Sequence, residues 1–219
     1  MAEFEILESE GMRYVRIQLQ EETVQAESGA MATMEGDIEM VAKIPSPLQA
    51  LRSAISEQSI IRPKYTGSGV LSLEPSLNAY HVFEVAEGTT WVLEKGAYWA
   101  SEGTIKLYLA RERVLTSLWS GEGFVYYMTK VSGRGKVVLN AQGPVSLVTL
   151  TSDTLKVDGR LVIARTEGIS YKIKRPTRSF IGSMLSGEKR TRVYEGTGCL
   201  LMSRTPYWNR RLLSAVRRR

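Results

Sequence analysis

One pattern is written three times along this chain. Residues 27–36, Glu-Ser-Gly-Ala-Met-Ala-Thr-Met-Glu-Gly, return at 94–103 as Glu-Lys-Gly-Ala-Tyr-Trp-Ala-Ser-Glu-Gly, and more loosely from Asp158-Gly159 to Glu167-Gly168, a period of about 65 residues. A second marker follows in the same order each time: Gly67-Ser68-Gly69-Val70-Leu71, Gly133-Arg134-Gly135-Lys136-Val137 and Gly196-Thr197-Gly198-Cys199-Leu200. A repeat of this length buries too little of its own surface to stand alone, so the three copies must share one body. The spacing divides the chain into β modules at 1–75, 76–142 and 143–205, followed by a basic tail at 206–219. The competing arrangement is one β-sandwich whose similar turns mimic a repeat.

Most segments have the two-residue period of strands with one face on a core. Tyr14 to Gln20, Ile105 to Leu109 and Ile169 to Ile173 alternate apolar and polar residues. Glu87-Gly88, Glu102-Gly103 and Asp158-Gly159 interrupt these runs and read as turns, where positive φ is required. A short helix is expected after Ser46, which stands as a cap before Pro47, with Gln49 three residues on and Leu48, Leu51 and Ile55 on one face. Similar helical turns are expected at 114–119 and 180–185. The fold class expected from these residues is therefore all-β with short helical turns.

Chemistry is sparse. The only cysteine is Cys199 and the only histidine is His81, so the chain cannot form an internal disulfide, assemble a zinc site or build a Ser-His-acid triad away from His81. No catalytic, cofactor-binding or metal-binding residue is assigned. A Gly-x-Gly followed by a strand is not a dinucleotide loop, which needs a helix after it and a third glycine. Glu35, Glu102 and Glu167 each precede a glycine, and a turn explains them more simply than acid-base catalysis. Met31, Met34 and Met40 read first as core filler, with an exposed subset as subunit interface.

The 219 residues carry a formal charge of +6, but Arg210, Arg211, Arg217, Arg218 and Arg219 concentrate that charge in the tail. Trp208, Leu212 and Val216 fall at helical spacing among those arginines. The tail suits an anionic membrane surface, a protein groove or, without sequence choice, RNA phosphates; a solvated terminus is the plainer alternative. No apolar run approaches the roughly 20 residues that cross a bilayer, and the opening residues lack the order of a signal peptide. A soluble, cytoplasmic protein is expected, with peripheral membrane association through the tail as a further role.

The residues at 27–34, Ser-Gly-Glu-Gly-Phe at 120–124, Gly-Arg-Gly-Lys-Val-Val-Leu at 133–139, Val-Asp-Gly at 157–159 and Gly-Thr-Gly-Cys-Leu-Leu at 196–201 resemble the altered-inheritance-of-mitochondria protein twenty-four family. The likeness spans roughly residues 12–204. It implies three tandem modules with pseudo-threefold symmetry. Each would be a shortened double-stranded β-helix like that of the tryptophan RNA-binding attenuation protein (TRAP). It also implies ring-like homotrimers in which nine modules surround a channel. The implied function is an oligomeric, non-enzymatic scaffold or interaction protein without a cofactor, partnered with itself and with a protein or an anionic membrane surface. An RNA- or nucleotide-binding ring is the alternative. The family pattern supplies no catalytic residues to carry over.

Overall fold

A computed structural model describes residues 1–41, 58–59, 62–114, 124–158, 161–174 and 191–204. They form fifteen strands: β1 (Glu3–Ser9), β2 (Met12–Ala26), β3 (Met31–Val41), β4 (Gln58–Ser59), β5 (Lys64–Leu73), β6 (Ala79–Val85), β7 (Trp91–Leu93), β8 (Tyr98–Glu102), β9 (Lys106–Val114), β10 (Phe124–Ser132), β11 (Gly135–Ala141), β12 (Val145–Asp158), β13 (Val162–Thr166), β14 (Ile169–Lys174) and β15 (Thr191–Ser203). All pair antiparallel, in two sheets. The first runs β3-β5-β2-β8-β11-β6 with β1 added beside β2, and the second runs β12-β15-β13-β7-β10-β9-β4 with β14 added beside β15. Among the described residues there is no helix. The helices expected after Ser46 and at 180–185 lie outside the described residues, as does the stretch 115–119; Val114 ends β9.

Alternation explains the strands. Along β2, Val15, Ile17 and Leu19 are buried while Arg16, Gln18 and Gln20 are exposed, the arrangement of a pleated strand with one face on a core. Ile169 and Ile173 are buried around exposed Ser170 and Lys172 in the same way. The cores are not confined to successive thirds of the chain. Val15, Ile17 and Leu71 pack in one cluster with Ala100 and Val138, and Leu93, Val137 and Leu139 pack in another with Ala164 and Leu201. The middle of the chain is thus divided between the sheets, with β6, β8 and β11 in one and β7, β9 and β10 in the other.

The same wiring recurs. The strand after each turn lies beside the last strand of its own third: β3 pairs β5, β8 pairs β11 and β13 pairs β15. The end of the strand before the turn pairs with the strand after the next turn, joining β2 to β8 and β7 to β13. Glu27 N–H donates to Trp99 O at 2.7 Å, and Glu94 N–H donates to Ile163 O at 2.9 Å. Gly103 N–H and Glu167 N–H close the other side of these junctions onto Thr23 O and Thr90 O, at 2.8 and 3.0 Å.

The two sequence markers meet in space. Gly36 of the first marker faces Gly69 of the second across β3 and β5, with φ of 93° and 154°. A Cβ on Gly36 would stand 2.8 Å from Ser68 O, and one on Gly69 would overlap Glu35 O. Glycine here permits both a left-handed backbone and an approach that any side chain would prevent. The Glu-Gly turn reading needs correction in the first third, because Glu35 and Gly36 lie inside β3. Gly36 itself has positive φ, and the close crossing there is made with Gly67 and Gly69 of β5. In the other two thirds the Glu-Gly pair does sit where the strand turns.

Gly69→Ala should therefore destabilise the protein by more than about 3 kcal/mol, whereas Gly29→Ala, with positive φ but open space around it, should cost only about 1 kcal/mol. Urea unfolding of the two variants beside the parent checks the ordering; equal losses would remove the close approach as the cause.

Candidate interaction surface

The surface that stands out is where the repeated wiring stops. β3 is paired on one side by β5 and ends the first sheet, while β12 is paired by β15 and ends the second. Positions equivalent to those in β3 are buried elsewhere: Ala100, Ser101 and Glu102 in β8, and Ala164 and Arg165 in β13. Thr33, Met34 and Glu35 of β3 are exposed instead. Met31 at 37%, Met34 at 39% and Met40 at 49% exposure correct the expectation of core packing. Their counterparts Tyr98 and Leu107 are buried because another strand or sheet layer covers them. Alternation places Met34, Ile38 and Met40 on one face of β3 and Glu35, Asp37 and Glu39 on the other. On β12, Lys156 is exposed beside buried Val157, and Leu147 is 61% exposed.

Buried polar groups mark the internal junctions. Between β2 and β8, Gln25 Nε2 donates to Ser101 Oγ at 3.1 Å and to Ile105 O at 2.6 Å, while Tyr98 O–H donates to Gln25 O at 3.2 Å. Burial pushes the Tyr98 phenol well above its usual range. Across the next junction, Arg192 pairs with Glu94; burial opposes the charge on Arg192, but Glu94 and Tyr194 together outweigh it and raise the guanidinium's pKa. Arg192 and Arg165 both lie over Tyr171, at 5.2 and 5.4 Å from the ring centre, and Tyr171 stacks on Tyr194. These contacts hold the junctions in register.

A cavity of about 570 Å³ opens beside the first junction, lined by Glu22, Thr23, Glu102, Thr104 and Arg134 among others. Glu102 Oε2 accepts from Lys136 N–H at 2.9 Å and so caps a backbone group left by the Gly-x-Gly bend. Thr166 Oγ1 does this for Cys199 N–H, at 3.0 Å. Glu35, Glu102 and Glu167 consequently occupy three different settings: exposed on β3, buried against Lys136, and ion-paired to Lys130 at 2.8 Å. They do not converge. Among the described residues no three His, Cys, Asp or Glu side chains are placed to hold one metal ion, and no helix is long and apolar enough to cross a membrane. Cys199 is half-buried, with Sγ 3.8 Å from Thr149 Oγ1. Trp208, Arg210, Arg211, Arg217, Arg218 and Arg219 lie outside the described residues.

The fold and these edges define an all-β protein built from strand junctions between successive thirds. The mitochondrial biogenesis AIM24 family profile matches residues 4–204, and the chain belongs to that family. Over 149 residues it is 27% identical to an uncharacterized protein of Streptococcus pyogenes serotype M6, aligning with 67% of this chain and 59% of that protein's length. The chain thus spans less than two thirds of that relative. An X-ray crystal structure of protein SPYM3_0169 from Streptococcus pyogenes superposes with a TM-score of 0.72 at 20% identity, covering 100% of this chain and 99% of that one. That likeness establishes the fold.

Two measurements follow. Arg192→Ala should cost about 2–4 kcal/mol by leaving part-buried Glu94 without its cation, read by urea unfolding at neutral pH; a loss below about 1 kcal/mol would remove this pair as a junction clamp. His81, half-buried on β6, has its pKa lowered from 6.5 by desolvation. The unfolded chain then binds this proton more readily, so the stability present above pH 6.5 falls as pH drops toward the folded pKa. His81→Gln should flatten that stretch of a stability-against-pH curve, and an unchanged slope would assign it to other groups.

Proposed function

We propose that this chain is a non-enzymatic scaffold that assembles into a ring-like homotrimer, each subunit contributing three tandem TRAP-like modules. The observation that carries this reading is the pair of exposed sheet ends, β3 and β12. Two matching junctions inside the chain are closed by backbone bonds, and a third set of the same groups is left over. Exposed edges are a hazard unless something pairs them, and a ring would pair these two. The mitochondrial biogenesis name of the family fits a structural role better than a catalytic one. So do the three unlike environments of Glu35, Glu102 and Glu167, since a repeated catalytic group would need a repeated setting. In this reading the arginines at 210–219 carry the contact with a protein or an anionic membrane surface, outside the ring body.

Light scattering behind a sizing column tests it, at low and high salt, on the full chain and on a chain ending at residue 205. The expected mass is three times the 24.5 kDa chain in every condition. A monomer throughout would defeat the ring. Co-purifying nucleic acid lost steeply with salt and with the tail would instead support the RNA-binding ring.

A further inference from the structure

We infer that the cavity beside the first junction binds a small organic ammonium ion, a primary amine on a short apolar body, with Glu102 as its counter-charge. The two internal junctions share their wiring, and the contrast between them singles out this residue. In each, one side chain accepts from the backbone amide that the Gly-x-Gly bend leaves free: Glu102 Oε2 from Lys136 N–H at the first, Thr166 Oγ1 from Cys199 N–H at the second. A threonine completes that task with one oxygen, and its hydroxyl also donates to Cys199 O at 3.5 Å. A carboxylate brings a second oxygen. Glu102 is only 6% exposed, and its Oε1 has no hydrogen-bond partner among the described residues. A buried carboxylate oxygen without a donor is costly, and a cation that donates to it compensates most strongly.

The surroundings leave room for such a group. Glu102 stands in the wall of the cavity of about 570 Å³ together with Thr23, Gly103, Thr104 and Gly135, a volume ordinary for a small-molecule site. A Cβ on Gly135 would overlap Glu102 Oε2 and stand 2.9 Å from Thr104 Oγ1, and one on Gly103 would stand 2.9 Å from Thr23 Cγ2. The glycines thus keep side-chain bulk away from the carboxylate. Thr104 Oγ1 is already committed, donating to Arg134 O at 2.8 Å. The other charges nearby are engaged or wet. Glu22 pairs with the Met1 ammonium, Lys136 Nζ reaches Ala2 O at 3.4 Å, and Arg134 is exposed, where salt and water screen it. The buried Glu102 oxygen therefore sets the sign of the ligand, since a contact made out of water outweighs screened charges around it. Ala2, Gly103 and Thr23 offer wall to the apolar body. All these residues belong to one chain, so the site is complete in each copy, whatever the assembly.

Isothermal titration calorimetry of the full chain tests the site with butylamine and benzylamine, set against butanol, benzyl alcohol and benzoate at neutral pH. The better amine should bind one per chain, at least about tenfold more tightly than its own alcohol and than benzoate. An alcohol that binds as well as its amine would overturn the assignment. So would tighter binding of benzoate, or no saturable binding by either amine up to about 10 mM. That comparison uses the parent chain and needs no variant. Glu102→Gln keeps an acceptor for Lys136 N–H, and Glu102→Thr copies the cap of the second junction, so both should fold, as judged by circular dichroism and urea midpoint. Each should bind the amine at least about tenfold more weakly. Undiminished binding by either folded variant would overturn the role given to Glu102, and if neither folds, the comparison of amine, alcohol and acid decides.

Discussion

Backbone hydrogen bonds between the end of one strand and the strand beyond the following turn are the interaction on which this structure depends. They join β2 to β8 and β7 to β13, and without them each third of the chain would be a small sheet with too little core to persist. Because the bonded groups are main-chain, the junction tolerates very different side chains. Gln25 beside Ser101 at one junction becomes Val92 beside Arg165 at the next. Each then acquires its own buried polar network, Gln25 with Tyr98 and Ser101 in the first, and Glu94 with Arg192 in the second. The shared geometry is that of the backbone, and the local chemistry has diverged around it.

The glycines serve the same end. The bend at Gly67 and Gly69 brings β5 close against β3, and the bends at Gly133–Gly135 and Gly196–Gly198 repeat that conformation. Each bend leaves a backbone amide that needs an acceptor. Glu102 supplies it in one place and Thr166 in another. Glu102 therefore has a structural task for Oε2, while its Oε1 is buried with no hydrogen-bond partner among the described residues. An acidic residue recurring before glycine in the sequence falls in three separate settings: exposed at Glu35, capping Lys136 N–H at Glu102 and paired with Lys130 at Glu167.

Much of the architecture was legible in the residues. Period-two alternation located β2 and β14, and the paired glycine markers located the crossings, because hydrophobic burial and positive φ each leave a local signature. The surface was less legible. Met31 and Tyr98 occupy corresponding places in the repeat, yet one is exposed and the other buried. Nothing in a methionine tells whether a neighbouring strand covers it. Glu35 and Gly36 lie inside a strand rather than at a turn for a related reason: glycine marks a special backbone position but does not say whether the chain turns there or crosses a neighbour.

The sequence by itself determined that the chain is β, that it repeats, and where its glycines force close approach, since these depend on near neighbours and on single-residue conformational limits. It also determined the scarcity of thiol and imidazole chemistry. Only the tertiary structure decided that the middle third is divided between two sheets, and which positions are covered by the following third. Among the described residues, it alone left β3 and β12 without the partners their counterparts have. Those outcomes depend on hydrogen bonds between segments about 75 residues apart. No local pattern encodes such pairing, because any strand edge offers the same donors and acceptors until packing chooses among them.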